Sequence, residues 1–109
     1  METEWTSKAI KDWYDTIGKD IPFKEFIRIR PDKDRWNGPM MYGKNTIKIY
    51  QDGLAHNAHG PAVVIIAADT HKIIAKFYYI NNRVLKSTDI LCRMIMKRDR
   101  DASRTTNDD

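Results

Sequence analysis

Apolar side chains recur every four positions at the start of the chain, at Trp5, Ala9, Trp13 and Ile17, with Ile10 and Tyr14 widening the stripe. That spacing follows the turn of an α-helix and predicts a helix over residues 4–17, with Lys8, Lys11, Asp12 and Asp15 on its wet side. Thr3 or Thr6 is the expected N-cap, accepting from a backbone N–H that the first turn leaves unpaired. Gly18 suits the left-handed residue that follows a last turn, and Ile21-Pro22 prevents the helix from continuing.

The period then changes from about four to two. Over residues 26–30 the isoleucines Ile27 and Ile29 alternate with Arg28 and Arg30, the pattern of a half-buried strand. Met40-Met41-Tyr42 and the alternating Thr46-Ile47-Lys48-Ile49-Tyr50 flank a turn at Gly43-Lys44-Asn45. Asp52-Gly53 tolerates the positive φ angles of a two-residue hairpin turn. Residues 61–68 are apolar throughout and residues 72–80 nearly so, which predicts two strands covered on both faces, joined at Asp69-Thr70-His71. A second turn pair, Asn81-Asn82, follows. Ile90, Leu91, Met94 and Ile95 mark a last helix, capped by Ser87 or Thr88 and running to about Lys97. Residues 99–109 hold no large apolar side chain and are expected to be a disordered tail.

These elements predict one α+β domain over residues 1–98. It is an antiparallel β-meander of about five or six short strands, flanked by an N-terminal and a C-terminal helix. Two apolar strands side by side present more greasy surface than one helical layer covers, which favours a homodimer or a bound partner.

The middle of the chain repeats itself. Gly38-Pro39 leads to an apolar strand, a turn, an alternating strand ending in Tyr50 and the Asp52-Gly53 pair. Gly60-Pro61 leads through the same plan to Tyr79 and Asn81-Asn82. The segment Asp52-Gly53-Leu54-Ala55-His56-Asn57-Ala58-His59-Gly60-Pro61-Ala62 resembles the MORN-like hairpin repeat of small phage and large DNA virus proteins. Tyr50 supplies the aromatic, Asp52-Gly53 the turn, His56 the histidine and Gly60-Pro61-Ala62 the start of the next strand. The chain departs from the pattern at His59, where an acidic residue is usual, at Asn82 in place of glycine, and after Leu85, where no histidine follows. The resemblance spans roughly residues 36–85. It implies a β-meander in a small viral or phage-type protein, and no catalytic residues.

Composition narrows the remaining choices. With 109 residues and a 41% hydrophobic fraction there is material for one modest core without metal or disulfide staples. The single cysteine, Cys92, permits no internal disulfide, and no apolar run reaches membrane-spanning length, so a cytoplasmic protein is expected (host cytoplasm, if phage-encoded). The net charge of +4 is concentrated in residues 24–48, which carry +4 alone, against −2 for residues 1–23.

His56, His59 and His71 raise the question of a metal, but a zinc site needs three or four converging ligands and these lie on separate connections. The expected role of His56 is structural: its imidazole donates to the neighbouring loop backbone, with His59, Gly60 and Pro61 completing that loop. Cys92 lies among apolar helix positions and reads as an inert thiol. No nucleophile elbow or phosphate loop occurs, so no enzyme, metal or cofactor is expected. The best candidate contact surface combines cations with aromatic and adaptable apolar groups: Arg28, Arg30, Lys33, Arg35, Trp36, Met41 and Tyr42. The expected function is a non-enzymatic protein-binding module, a phage-type factor that modulates or inhibits a host protein, defence proteins included. The alternative is nucleic-acid binding through the basic aromatic stripe of residues 28–48. A third reading is a small-molecule sink between sheet and helices.

Overall fold

The computed structural model describes residues 4–21 and 35–105. Helix α1, Ser7–Thr16, is capped by Thr6, whose hydroxyl accepts from the Ala9 N–H at 3.1 Å. The wet side carries the i,i+4 pairs Lys8–Asp12 and Lys11–Asp15, and Ile10 and Tyr14 are buried on the other. The helix closes at Ile17, whose N–H donates to Trp13 O, and passes into a single 3-10 turn, Gly18–Asp20. Gly18 does not take the expected left-handed conformation. It is glycine for want of room: an added Cβ would stand 2.4 Å from the Trp13 ring.

Six strands form one antiparallel sheet: β1 Gly38–Met41, β2 Thr46–Gln51, β3 Leu54–Ala55, β4 Val63–Ile66, β5 Ile73–Ile80 and β6 Arg83–Leu85. The order is β1-β2-β4-β5-β6, with β3 pairing the end of β2. The strand expected at residues 26–30 lies outside the described residues. Register places Met41 opposite Ile47 and Ile47 opposite Val64, so these three share a face. Ile10 and Tyr14 of α1 pack on that face against Met41, Ile47, Ile49, Val64 and Ile66, with Trp5, Trp13 and Ile73 at the rim. Each fully buried isoleucine there is worth about 1.5–3 kcal/mol of transfer free energy.

The last helix, α2, spans Ile90–Thr105. Neither hydroxyl predicted to cap it, that of Ser87 or of Thr88, does so. Asp89 stands at the entry, its backbone C=O accepting from the Arg93 N–H and its carboxylate from the Lys86 N–H at 2.9 Å. The helix also runs well past Lys97, into residues expected to be disordered. Its buried stripe is Cys92, Ile95 and Asp99, and the last of these explains the extension. Asp99 is 4% exposed. Its carboxylate accepts from the Ser7 backbone N–H at 2.6 Å and from the Ser7 hydroxyl. It also faces the Lys76 ammonium of β5 at 3.8 Å. An acidic group from α2 thus completes the first turn of α1, where unpaired N–H groups and the helix dipole favour negative charge.

Because Asp99 touches both α1 and the Lys76 side of β5, the two helices lie on the same face of the sheet. The expectation of strands covered on both faces is therefore corrected. β4 alternates half-buried with buried positions, and in β5 Ile74 and Phe77 are 64% and 44% exposed. A bulge contributes: Ile66 pairs with Ile73 but Ile65 with Ala75, so two residues of β5 oppose one of β4. The extra residue keeps Ile73 on the core and turns Ile74 outward.

The repetition read in the sequence is structural. β1, β2 and β3 recur as β4, β5 and β6, with a two-residue turn joining the second and third strands of each triplet. Asp52 and Gly53 have φ of 51° and 79°, and Asn81 and Asn82 have 48° and 69°. Both turns are of the type that matches the right-handed twist of the strands. Asn82 occupies a position glycine adopts at no steric cost, so Asn82→Gly is expected to raise stability by roughly 0.5–1 kcal/mol. A urea midpoint that stays put or falls would contradict this account of the turn.

Candidate functional site

The segment between the two repeats builds the most organised feature of the surface. After the Asp52-Gly53 turn the chain makes the short strand β3, then runs back beneath the start of α1. Asn57, buried in this loop, donates through Nδ2 to Trp5 O and to Pro61 O at 2.8 Å, and accepts through Oδ1 from the His59 N–H at 3.0 Å. One amide thereby ties the loop to itself and to the entry of α1. Gly60 seals the contact. A Cβ there would lie 2.8 Å from Trp5 O and 3.2 Å from Thr6 Cα, so only glycine lets the two backbones meet.

The two turns are stitched together by the same loop. Asn82 N–H donates to Ala55 O at 2.7 Å, Asn57 N–H to Tyr79 O, and Gly53 N–H to Trp36 O. His56 Nδ1 accepts from the Asn81 N–H at 3.0 Å. His56 does bond the neighbouring loop backbone, but as acceptor rather than the expected donor. With Nδ1 accepting, the imidazole proton of the neutral ring sits on Nε2. Among the described residues Nε2 has no partner.

A cleft of about 490 Å³ opens at this turn end of the sheet. Glu4 and Trp5 form one wall, Gly38 and Pro39 a second, Tyr50 and Gln51 a third, and residues 56–59 the fourth. Burial, and after it the nearby Tyr42 phenol, raise the Tyr50 hydroxyl above its ordinary pKa, so it carries its proton at neutral pH. The side-chain polar groups of Glu4, Trp5, Tyr50, Gln51 and His59 make no hydrogen bond with other described residues. None of these was singled out from the sequence as a binding group, His59 having been assigned to the structural loop, because their convergence depends on the loop folding back under α1.

The predicted contact surface is only partly assembled. Arg28, Arg30 and Lys33 lie outside the described residues. Arg35 is exposed, whereas Trp36 is half-buried and donates its indole N–H to Pro39 O at 3.1 Å, packing beside the Gly38-Pro39 turn. Met41 is 2% exposed and belongs to the core cluster. It is removed from the contact surface, since alternation in β1 turns it inward opposite Ile47. Tyr42 remains outside, with the Lys48 ammonium 4.0 Å from its ring centroid, a cation–π arrangement on the face opposite the helices.

His71 is remote from the other two histidines in role. It sits at the β4–β5 connection with φ of 58° and packs edge-on to Tyr14, ring centroids 5.8 Å apart. Among the described residues no three His, Cys, Asp or Glu side chains converge to hold a metal ion. Cys92 is buried, and burial, then Asp89, push its thiol pKa up, away from reactive thiolate. No helix among the described residues is long and apolar enough to cross a membrane. No family model, curated protein or solved structure matches the chain.

Proposed function

We propose that the chain is a non-enzymatic protein-binding module whose contact surface is the face of the sheet opposite α1 and α2. One observation carries this reading: Tyr42, Phe77 and Val84 are 50%, 44% and 54% exposed on that face. Large apolar groups gathered on one side of a small domain mark interaction surfaces more often than chance exposure does. Register supports the grouping. Val63 pairs with both Lys48 and Phe77, and Tyr79 pairs with Val84, so all project on the side away from α1. The resemblance to phage-type repeats makes a host protein the partner class, and a second copy of the chain the alternative occupant.

Phe77→Asp places a charge at the centre of that face without touching the core cluster. The immobilised wild-type chain should retain a partner from host lysate that the Phe77→Asp chain loses, with sedimentation mass reporting self-association. Equal retention by both chains, and a monomer in each, counts against the reading. A second reading, nucleic-acid binding, draws support from Lys48 over Tyr42 with Arg35 exposed nearby in sequence. Its signature is salt dependence, with log K falling by about 0.7–0.9 per phosphate contact for each tenfold rise in salt.

A further inference from the structure

We infer that the cleft between the start of α1 and the turn end of β2 binds a neutral saccharide ring. Its volume of about 490 Å³ falls within the roughly 300–1,000 Å³ typical of small-ligand sites. The reading goes beyond protein binding and rests on a different part of the surface.

The chemistry of the walls selects the guest. Trp5 offers aromatic surface, and Pro39 adds an apolar edge, which suits the C–H face of a pyranose. The open polar groups are of mixed sense. Trp5 N–H and His56 Nε2–H donate, Glu4 accepts, and the Gln51 amide does both. A sugar diol needs that mixture, because each hydroxyl gives one hydrogen bond and takes others. Charge weighs against the main competitors. Among the described residues no Lys or Arg lines the cleft, so none of them neutralises a phosphate or carboxylate guest. Glu4 is the only formal charge among the described lining residues, and a single exposed carboxylate holds a cation weakly.

The site is also held in shape before any guest arrives. Asn57 fixes the loop through three hydrogen bonds, and His56 is oriented by the Asn81 N–H, leaving Nε2 free to point at a ligand. Fixed walls with unspent polar groups reduce the ordering cost of binding.

The test uses the isotope-labelled full chain with glucose, galactose, mannose and N-acetylglucosamine, each at tens of millimolar, by saturation-transfer and amide-shift NMR. At least one sugar should receive saturation on its ring protons and shift the Trp5 indole and Gln51 side-chain signals. Gln51 is exposed and makes no side-chain bond within the described protein, so Gln51→Ala keeps the fold while removing one ligand contact. It should weaken the apparent Kd by roughly fivefold, the loss of one ordinary hydrogen bond. Silence from all four sugars overturns the inference. So does an affinity that Gln51→Ala leaves unchanged, or stronger shifts at the same signals from adenosine or arginine amide than from any sugar. Partner capture through Phe77 is read separately, so either reading can fail without the other.

Discussion

Asp99→Ala is expected to unfold about 2–4 kcal/mol more readily than the wild type, the largest effect of any side-chain truncation at a polar site. The carboxylate has three dependants: the Ser7 N–H, the Ser7 hydroxyl and the Lys76 ammonium. Truncation leaves the two Ser7 donors buried without partners, since Ser7 is itself inaccessible. Lys76 suffers less, being partly open to water. For a domain of this size the loss corresponds to a fall in Tm on the order of 10–20 °C. The final turns of α2 should also lose their hydrogen-exchange protection ahead of the sheet, because Asp99 is what pins them. Asp99→Asn keeps an acceptor for the Ser7 N–H and should fall between. A Tm within about 2 °C of wild type for Asp99→Ala would show that the α1–α2 contact is incidental.

Gly60→Ala should cost about 2–3 kcal/mol for the addition of one methyl group. The size of the effect follows from what the methyl meets. Trp5 O at 2.8 Å, Thr6 Cα at 3.2 Å and Ser7 N at 3.4 Å are all backbone atoms, and none swings away on a side-chain torsion. The loop must lift from α1, stretching the bond from Asn57 to Trp5 O as it goes. Gly43 provides the contrast, with nothing within 4 Å of its would-be Cβ. There φ of +87° alone resists alanine, and the expected cost is nearer 1 kcal/mol. Comparable losses at the two positions, read from urea midpoints, would refute the steric explanation.

The strands and turns were legible because each depends on residues close in sequence. Alternation in residues 46–50 fixed which way Ile47 and Ile49 point, and Asp52-Gly53 announced its turn by composition. The doubled plan survived into the structure for the same reason. What stayed hidden depends on contacts between distant segments. Residues 99–105 read as too polar to order, yet a carboxylate four positions after Ile95 and seven after Cys92 continues their buried stripe. That spacing was the available signal, and it was masked by the usual preference of Asp for water. Met41 looked like adaptable surface because it follows closely on Arg35 and Trp36 in sequence, whereas its pairing with Ile47 turns it inward. The cleft was least legible of all. Trp5, Gln51 and His59 come together only because Asn57 and Gly60 dock the loop beneath α1.

The doubled plan also explains where the sheet stops growing. Ile47 of β2 pairs with Val64, admitting the second triplet, and Lys76 stands at the corresponding place in β5. An ammonium on the inward side of β5, in the stretch that β6 does not pair, discourages another chain from zipping on, and the Ile73–Ile74 bulge warps the ribbon beside it. Extension by a third triplet would therefore require an aliphatic residue at 76 and the surrender of α2.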